Sequence, residues 1–390
     1  MKHFTLILAT AAMLAGCTSP DPVKELSDKV FDLAMTQYSH IDASLKEGEF
    51  PRSTEADGSL RTSDIGWWCS GFYAGSLWYI YEYTGDRKMH DLAWKHTMAL
   101  EPLIRRHTDH DIGFQINCSY GNAMRLTGDS TATVPVYIAG ARKLAERFTP
   151  SAGVIKSWDF LRNDWRYPVI IDNMMNLEIL TKAARICGDK TLLDVATSHA
   201  DNTLMNHVRD NSTTFHLVDY DPETGAVRSR ETVQGYADAS TWARGQAWAL
   251  YGYTMMYRET GHSEYRNAAD EIGNWIIRNL PDDGIPYWDF NAPDIPSALK
   301  DASAAAIMAS AFVELSTLTK KPEYAASYIE TARRQLLALG SDEYLASPGE
   351  NAGFILKHCV GNMPENSEVD VPLSYADYYF LEALVRYSDL

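Results

Sequence analysis

The chain has 390 residues, of which 45% are hydrophobic, 11% aromatic and 22% charged, a balance that excludes a disordered chain, a collagen-like repeat and a multi-span membrane protein. Its 52 acidic residues against 35 basic ones give a formal charge of −17, so nucleic acid, which needs a basic face, is not an expected partner. An anionic small ligand fits only in a pocket whose local charge opposes the global one.

Met1-Lys2-His3 precedes a short apolar run from Phe4 to Met13 and then Leu14-Ala15-Gly16-Cys17. A basic start, a brief apolar stretch and small residues read as a secretory signal over 1–16, too short to span a membrane. Leu-Ala-Gly-Cys resembles a bacterial lipobox, which implies cleavage before Cys17 and lipid on its sulfur. Residues 17–22, rich in Thr, Ser, Pro and Asp, read as a tether, and 23–390 as one domain. The expected location is a bacterial envelope, periplasmic or surface-exposed, with the membrane touched only through that lipid. Cys69, Cys118, Cys187 and Cys359 form no Cys-x-x-Cys pair and no metal-ligand spacing with His, and buried free thiols are expected.

The remaining punctuation is periodic. Thr84-Gly85-Asp86, Thr127-Gly128-Asp129, Cys187-Gly188-Asp189, Thr260-Gly261-His262 and Thr319-Lys320-Lys321 each separate two helix-like stretches. In the first four a Gly can end one helix in the left-handed conformation while the next polar residue opens another. Residues 65–81, 112–124, 245–257 and 302–313 carry no charge, so these helices are apolar all round and expected to be buried on every side. Their partners are amphipathic, as the stripes Leu193, Ala196, Ala200, Leu204 and Tyr324, Tyr328, Ala332, Leu336, Leu339 show. Five such hairpins start near 68, 113, 173, 242 and 302; a leading helix near 23–45 and a closing one near 372–388 make a sixth pair. The prediction is an all-α (α/α)6 barrel of six inner and six outer helices. An open solenoid is the alternative. Residues 213–235, with Phe215 to Tyr220 followed by Asp221-Pro222-Glu223-Thr224-Gly225, predict a small β-hairpin insertion.

Polar chemistry collects at the inner-helix starts: Asp64-Ile65-Gly66-Trp67-Trp68, Asp109-His110-Asp111, Ile171-Asp172-Asn173, Trp242-Ala243-Arg244 and Lys300-Asp301. In a barrel of parallel inner helices these termini share one mouth, made locally positive by the helix dipoles. Asp64 and Asp301 read most simply as caps. Asp111 and Asp172 sit among apolar neighbours, where desolvation and a nearby second carboxylate would raise a carboxyl pKa and suit it to proton transfer. No phosphate-binding loop, dinucleotide fingerprint or zinc motif occurs.

These segments resemble glycoside hydrolase family 88, the unsaturated glucuronyl hydrolases. The resemblance is carried by Trp67-Trp68-Cys69-Ser70-Gly71-Phe72, His110-Asp111-Ile112-Gly113-Phe114, Ile171-Asp172-Asn173-Met174-Met175-Asn176, Gln234-Gly235-Tyr236-Ala237-Asp238, Trp242-Ala243-Arg244-Gly245-Gln246-Ala247-Trp248 and the stretch from Tyr375 to Leu384. It implies an (α/α)6 fold and action on lyase-generated oligosaccharides ending in a 4,5-unsaturated uronate. The implied reaction hydrates the vinyl ether rather than attacking the anomeric carbon, and needs no cofactor or metal. Asp172 matches the proton donor and Asp111 the second essential carboxylate. Trp68, His110, His216, Gln234, Arg244 and Trp248 match residues around the sugar, with Arg244 the natural partner of its carboxylate. The segment from Lys357 to Glu368 is the least transferable. An unsaturated rhamnogalacturonyl hydrolase would share the fold and the hydration step on pectin fragments. A non-catalytic glycan-binding lipoprotein would share an aromatic cavity but has no need of two buried carboxylates.

Overall fold

Four of the expected helix breaks are glycines in the left-handed conformation: Gly85, Gly128, Gly188 and Gly261 have φ of 69°, 66°, 74° and 75°. The aspartates after the first three cap the following helices, accepting hydrogen bonds from the N–H groups of Met89, Ala132 and Thr191. Each such cap satisfies a helix N–H that would otherwise lack a partner, so the hairpin array is punctuated by local chemistry. A computed structural model describes residues 21–160, 162 and 164–390. The expected signal segment and Cys17 lie outside the described residues.

Among the described residues the helices number twelve: α1 (Pro22–Ser44), α2 (Ser70–Thr84), α3 (Arg87–Met98), α4 (112–127), α5 (Ser130–Ala145), α6 (Leu177–Cys187), α7 (Lys190–Asn206), α8 (Ala243–Thr260), α9 (Ser263–Asn279), α10 (Ala302–Leu318), α11 (Pro322–Leu339) and α12 (Ser374–Ser388). Helix α4 contains one wider turn at Asn117–Gly121, and α6 is entered through a tight 3-10 segment, Ile171–Asn176. Helix α1 starts within the expected tether: Asp21 caps it and Pro22 sits in its first turn, where a missing N–H costs nothing.

The inner helices close a ring. Helix α2 packs on α4, α4 on the 3-10 segment, that segment on α8, α8 on α10, α10 on α12, and α12 back on α2. Closure, rather than an open solenoid, follows from this last contact. Residues Ala243–Met256 of α8 and Ala302–Val313 of α10 are buried on every face, as uncharged helices must be when neighbours surround them. The outer helices bury one stripe each; in α7 it is Leu192, Ala196, Ala200 and Thr203, while Leu193 and Leu204 are only half-buried.

The strand content exceeds the single hairpin expected. The hairpin is there, as β6 (Leu217–Tyr220) and β7 (Val227–Glu231), but β5 (Pro168–Ile170) adds a third strand. Three two-stranded sheets accompany it: β1 (Phe50–Thr54) with β2 (Leu60–Ser63), β3 (Phe148–Thr149) with β4 (Val154–Ile155), and β8 (Cys359–Asn362) with β9 (Ser367–Val371). These strands are short, and nothing in their local periodicity separates them from loops. The four described cysteines are free thiols, and Cys187 departs from the expected burial because it ends α6 at an exposed turn.

Candidate active site

The register of one strand pair brings the first site residues together. Strands β5 and β6 run antiparallel with Ile170 opposite Leu217, and the Ile171 N–H donates to the His216 carbonyl at 2.9 Å. Asp172 therefore leaves β5 beside His216, and the His216 Nε2 stands 3.8 Å from Asp172 Oδ2. Nδ1 of His216 accepts the backbone N–H groups of Val233 and Gln234 at 3.0 and 3.4 Å. The ring proton is thus placed on Nε2, facing the carboxyl.

Burial, reinforced by the Arg244 charge, pushes the His216 pKa down to about 3, so this imidazole is neutral. Burial pushes the Asp172 carboxyl up to about 7 against the opposing pull of Arg244. At 3.8 Å the pair is too far apart for a hydrogen bond, and both Asp172 Oδ2 and His216 Nε2 are buried without a partner among the described residues. Buried polar atoms are costly to leave unsatisfied, and here they face one another across a gap that a ligand atom can bridge.

A second pair repeats the design. Asn176 Oδ1 accepts the Phe114 N–H at 2.7 Å, which turns the Asn176 amide nitrogen toward His110 Nδ1 at 3.2 Å. His110 then carries its proton on Nε2, 3.5 Å from Asp111 Oδ1. Burial lowers the His110 pKa to about 3. Asp111 is raised well above the ordinary carboxylate value by burial, then by Asp109 and Asp172. The expected effect of a second carboxylate thus appears on Asp111; on Asp172 the leading cause is desolvation. Gly113 makes this arrangement feasible, since a Cβ there would overlap Asn176 Oδ1 and Cβ.

A cavity of about 410 Å³ at the inner-helix starts is lined by Trp67, Trp68, Asp111, Gln234, Arg244 and Tyr375, among others. Asp111 brings the second pair to its wall, and Val233 and Gln234, whose N–H groups bond His216, bring the first pair behind it. Trp68 packs against Tyr375 with ring centroids 4.8 Å apart, and edge-on against Phe114 at 5.7 Å. Phe114 in turn meets Trp248 at 5.4 Å. Trp248 is fully buried, and its Nε1 has no partner among the described residues. All eight expected site residues therefore fall in one region: Trp68, Asp111, Gln234 and Arg244 on the cavity wall, and His110, Asp172, His216 and Trp248 against or behind it. Asp64 acts locally, accepting the Gly66 N–H at 2.6 Å; Asp301 caps α10 through the Ser303 N–H at 3.0 Å and in addition pairs with Arg244. Among the described residues, no group of three or more His, Cys, Asp and Glu side chains is placed to hold a metal ion.

Arg244 differs from the expected open fork. Nη1 donates to Asp301 Oδ2 at 3.2 Å and to the Val360 carbonyl, while Nη2 donates to Gln234 Oε1 at 2.8 Å and to the Gly361 carbonyl. Its charge reaches Asp172, but its terminal nitrogens are committed to the protein. By holding Gln234 Oε1 it leaves the amide N–H groups of Gln234 for the cavity. Arg52, Trp158, Phe160, Glu368 and Tyr375 also line the wall and were not among the expected site residues. Tyr375 and Glu368 fell in segments that drew notice in the sequence, Glu368 at the end of the one from Lys357.

The description Glycosyl Hydrolase Family 88 matches residues 34–388. The chain belongs to this family. An unsaturated glucuronyl hydrolase from Formosa agariphila is 44% identical over 325 residues, covering 83% of this chain and 80% of that protein. A crystal structure of an unsaturated glucuronyl hydrolase specific for heparin superposes with a TM-score of 0.90 at 43% identity, covering 94% of this chain and 98% of that one. A variant of the Streptococcus agalactiae unsaturated glucuronyl hydrolase, complexed with dGlcA-GalNAc6S, gives a TM-score of 0.81 at 29% identity over 94% and 93% of the two chains. The family 88 member described here is a glycoside hydrolase with the (α/α)6 fold of these relatives.

Proposed function

We propose that this family 88 hydrolase removes the 4,5-unsaturated uronate from the non-reducing end of lyase-generated oligosaccharides by hydrating its vinyl ether. One observation carries the reading: a carboxyl with a pKa near 7, Asp172, faces a neutral Nε2–H across an unfilled hydrogen-bonding gap. Protonating a carbon–carbon double bond needs an acid that still holds its proton near neutrality, and a desolvated carboxyl supplies it. The relatives described above, named for unsaturated glucuronate and in one case bound to an unsaturated disaccharide, support the same substrate class.

In this reading Asp172 delivers its proton to C4, and positive charge develops at C5 and the ring oxygen. The carboxylate left behind then accepts a proton from the water that adds at C5. The hemiketal so formed opens, the glycosidic link is lost, and the sugar leaves as a keto acid. His216 Nε2–H steadies the Asp172 carboxylate as it forms. His110 and Asp111 hold ring hydroxyls, Trp68 and Trp248 bound the sugar ring, and the Gln234 amide with the Arg244 charge receives the uronate carboxylate. The two carboxyls do not act as the acid and nucleophile of a retaining glycosidase, because the anomeric carbon is not attacked.

The test is the ultraviolet absorbance of the conjugated enoate in lyase-generated disaccharides of glycosaminoglycan and pectin origin. Its loss on adding the protein is expected. Persistence of the absorbance despite measured binding would make the protein a receptor, and loss only with pectin-derived rhamnogalacturonyl fragments would move it to the neighbouring specificity.

We also propose lipid attachment at Cys17 and an envelope location, supported by the Leu14-Ala15-Gly16-Cys17 sequence. No helix among the described residues is long and apolar enough to cross a membrane. Cys17→Ala is expected to release active protein from the membrane fraction; unchanged membrane association would defeat the lipobox reading.

A further inference from the structure

Two cations line the cavity, Arg52 and Arg244. They are in opposite states. The terminal nitrogens of Arg244 are taken by Asp301, Gln234 and two carbonyls of β8. Arg52, on strand β1, donates only Nε, to Glu368 on β9. Its guanidinium lies over the Trp67 ring, 3.6 Å from the centroid, so the fork is held in place without using its ends. Nη1 and Nη2 of Arg52 have no partner among the described residues, and the side chain is 13% exposed. The Nε1 of Trp67 is buried without a partner as well.

A preoriented planar fork with both terminal nitrogens free is a receptor for an oxyanion, and stacking on an aromatic face removes much of the entropy cost of holding it. The carboxylates lining the same cavity are Asp109, Asp111 and Glu368. The uronate carboxylate meets Arg244 only through its charge and the Gln234 amide, so the guanidinium N–H groups still free for a further anionic substituent are those of Arg52. Location separates the two roles. The cation whose charge acts on the Asp172 carboxyl is Arg244, whereas Arg52 lies on the cavity wall where β1 meets β9. The uronate ring belongs near Asp172 and Arg244, which leaves the Arg52 side of the wall to the sugar attached to it.

We propose that Arg52 is a specificity-determining residue whose Nη1 and Nη2 clasp an oxyanion substituent, a sulfate ester or a carboxylate, on the sugar that leaves. Glu368 tunes this contact by drawing off Nε and by placing a negative charge beside the site. The inference rests on the hydrolase reading above and adds the chemical class recognised at the leaving-sugar end.

The experiment measures kcat/KM for unsaturated disaccharides that differ only in the second sugar: unsubstituted, sulfated, or bearing a carboxylate. Wild type is expected to prefer an anionic second sugar, and the pair of anionic substrates shows which oxyanion is taken. Arg52→Gln should lower the anionic-to-neutral ratio at least tenfold. Glu368→Gln should raise it. A residue that merely braced the β8–β9 hairpin would damage all substrates alike, so an unchanged ratio in Arg52→Gln overturns the proposal. A fall in the ratio with Glu368→Gln overturns it too. Failure of the underlying hydrolase reading is distinct, because wild type would then turn over none of the three.

Discussion

The Nε2 of His216 and the Oδ2 of Asp172 stand 3.8 Å apart, each buried and each without a partner among the described residues. Closing that gap directly would form a hydrogen bond that favours the ionised carboxyl and lowers its pKa. Leaving it open keeps the proton on Asp172 until substrate arrives.

Asp172→Asn is expected to retain substrate affinity while turnover falls by about 10²–10⁴, the usual contribution of general acid–base catalysis. Hydrolysis in heavy water by wild type should place one deuterium at C4 of the released acid, and heavy-oxygen water should label C5. Label at the anomeric carbon of the leaving sugar would point to ordinary glycoside hydrolysis. Full activity in the variant would remove Asp172 from the mechanism.

The pH dependence has one expected direction. With its pKa near 7, Asp172 holds the catalytic proton below that value and loses it above, so kcat/KM should fall as pH rises through about 7. Neither His110 nor His216 should add a limb between pH 5 and 8, because burial lowers both to about 3. A descending limb near 4, the ordinary range of an exposed carboxyl, would contradict the assignment.

The same displacement predicts that the inactive variant is the more stable one. Asp172 binds its proton more tightly when folded than when unfolded, where the value is near 3.8. Between those pH values the folded state holds the extra proton, so its stability declines as pH rises from about 4 to 7 and the loss is complete above 7. Asn has no proton to lose. The stability gain of Asp172→Asn over wild type should thus be larger at pH 8 than at pH 4.5, by a few kcal/mol at most since a tenfold change in proton affinity is worth about 1.4 kcal/mol. Urea denaturation at the two pH values measures it; an equal difference at both would sink the idea.

Arg244→Ala should cost more than the loss of a substrate contact. It strands Asp301, fully buried, without its ionic partner and frees the β8 carbonyls of Val360 and Gly361. Breaking a buried pair from one side costs about 3–5 kcal/mol. Backbone hydrogen exchange over 358–371 should rise in parallel with the loss of uronate binding. Weakened binding with an unchanged exchange pattern would mean that Arg244 acts on the ligand alone.

Gly113→Ala should disable the His110–Asp111 pair from a distance. The added methyl collides with Asn176, whose amide sets the His110 tautomer. A loss of about 1–3 kcal/mol in stability is expected from overpacking, together with a fall in kcat/KM. The double variant Gly113→Ala, Asn176→Ala should recover part of the stability but not the activity. Recovery of both would show that Asn176 does not position the imidazole.

What the sequence disclosed, and what it hid, divides by range. Gly85, Gly128 and Gly188 announce their turns because a left-handed glycine followed by an aspartate cap is complete within a few residues. Asp111 and Asp172 stand out because a carboxyl among Ile, Phe and Met is locally incongruous. His216 was marked by the family resemblance alone; the β5–β6 register that gives it a role is a tertiary fact. The commitments of Arg244 were illegible for the same reason, as two of its acceptors lie more than 100 residues away. Arg52 stayed hidden because it sits in a short hairpin outside the helical repeat, where neither composition nor periodicity marks it.

Helix α12 is both the final helix and an inner one, wedged between α2 and α10, and it carries Tyr375 into the cavity wall. A chain emerging from a ribosome can pair its first hairpins at once, but the ring and the site inside it stay open until α12 is free to dock against a helix that begins some 300 residues earlier. Activity therefore cannot appear during synthesis or refolding before that long-range docking is made. Clipping off α12 should leave a largely helical chain without a working cavity.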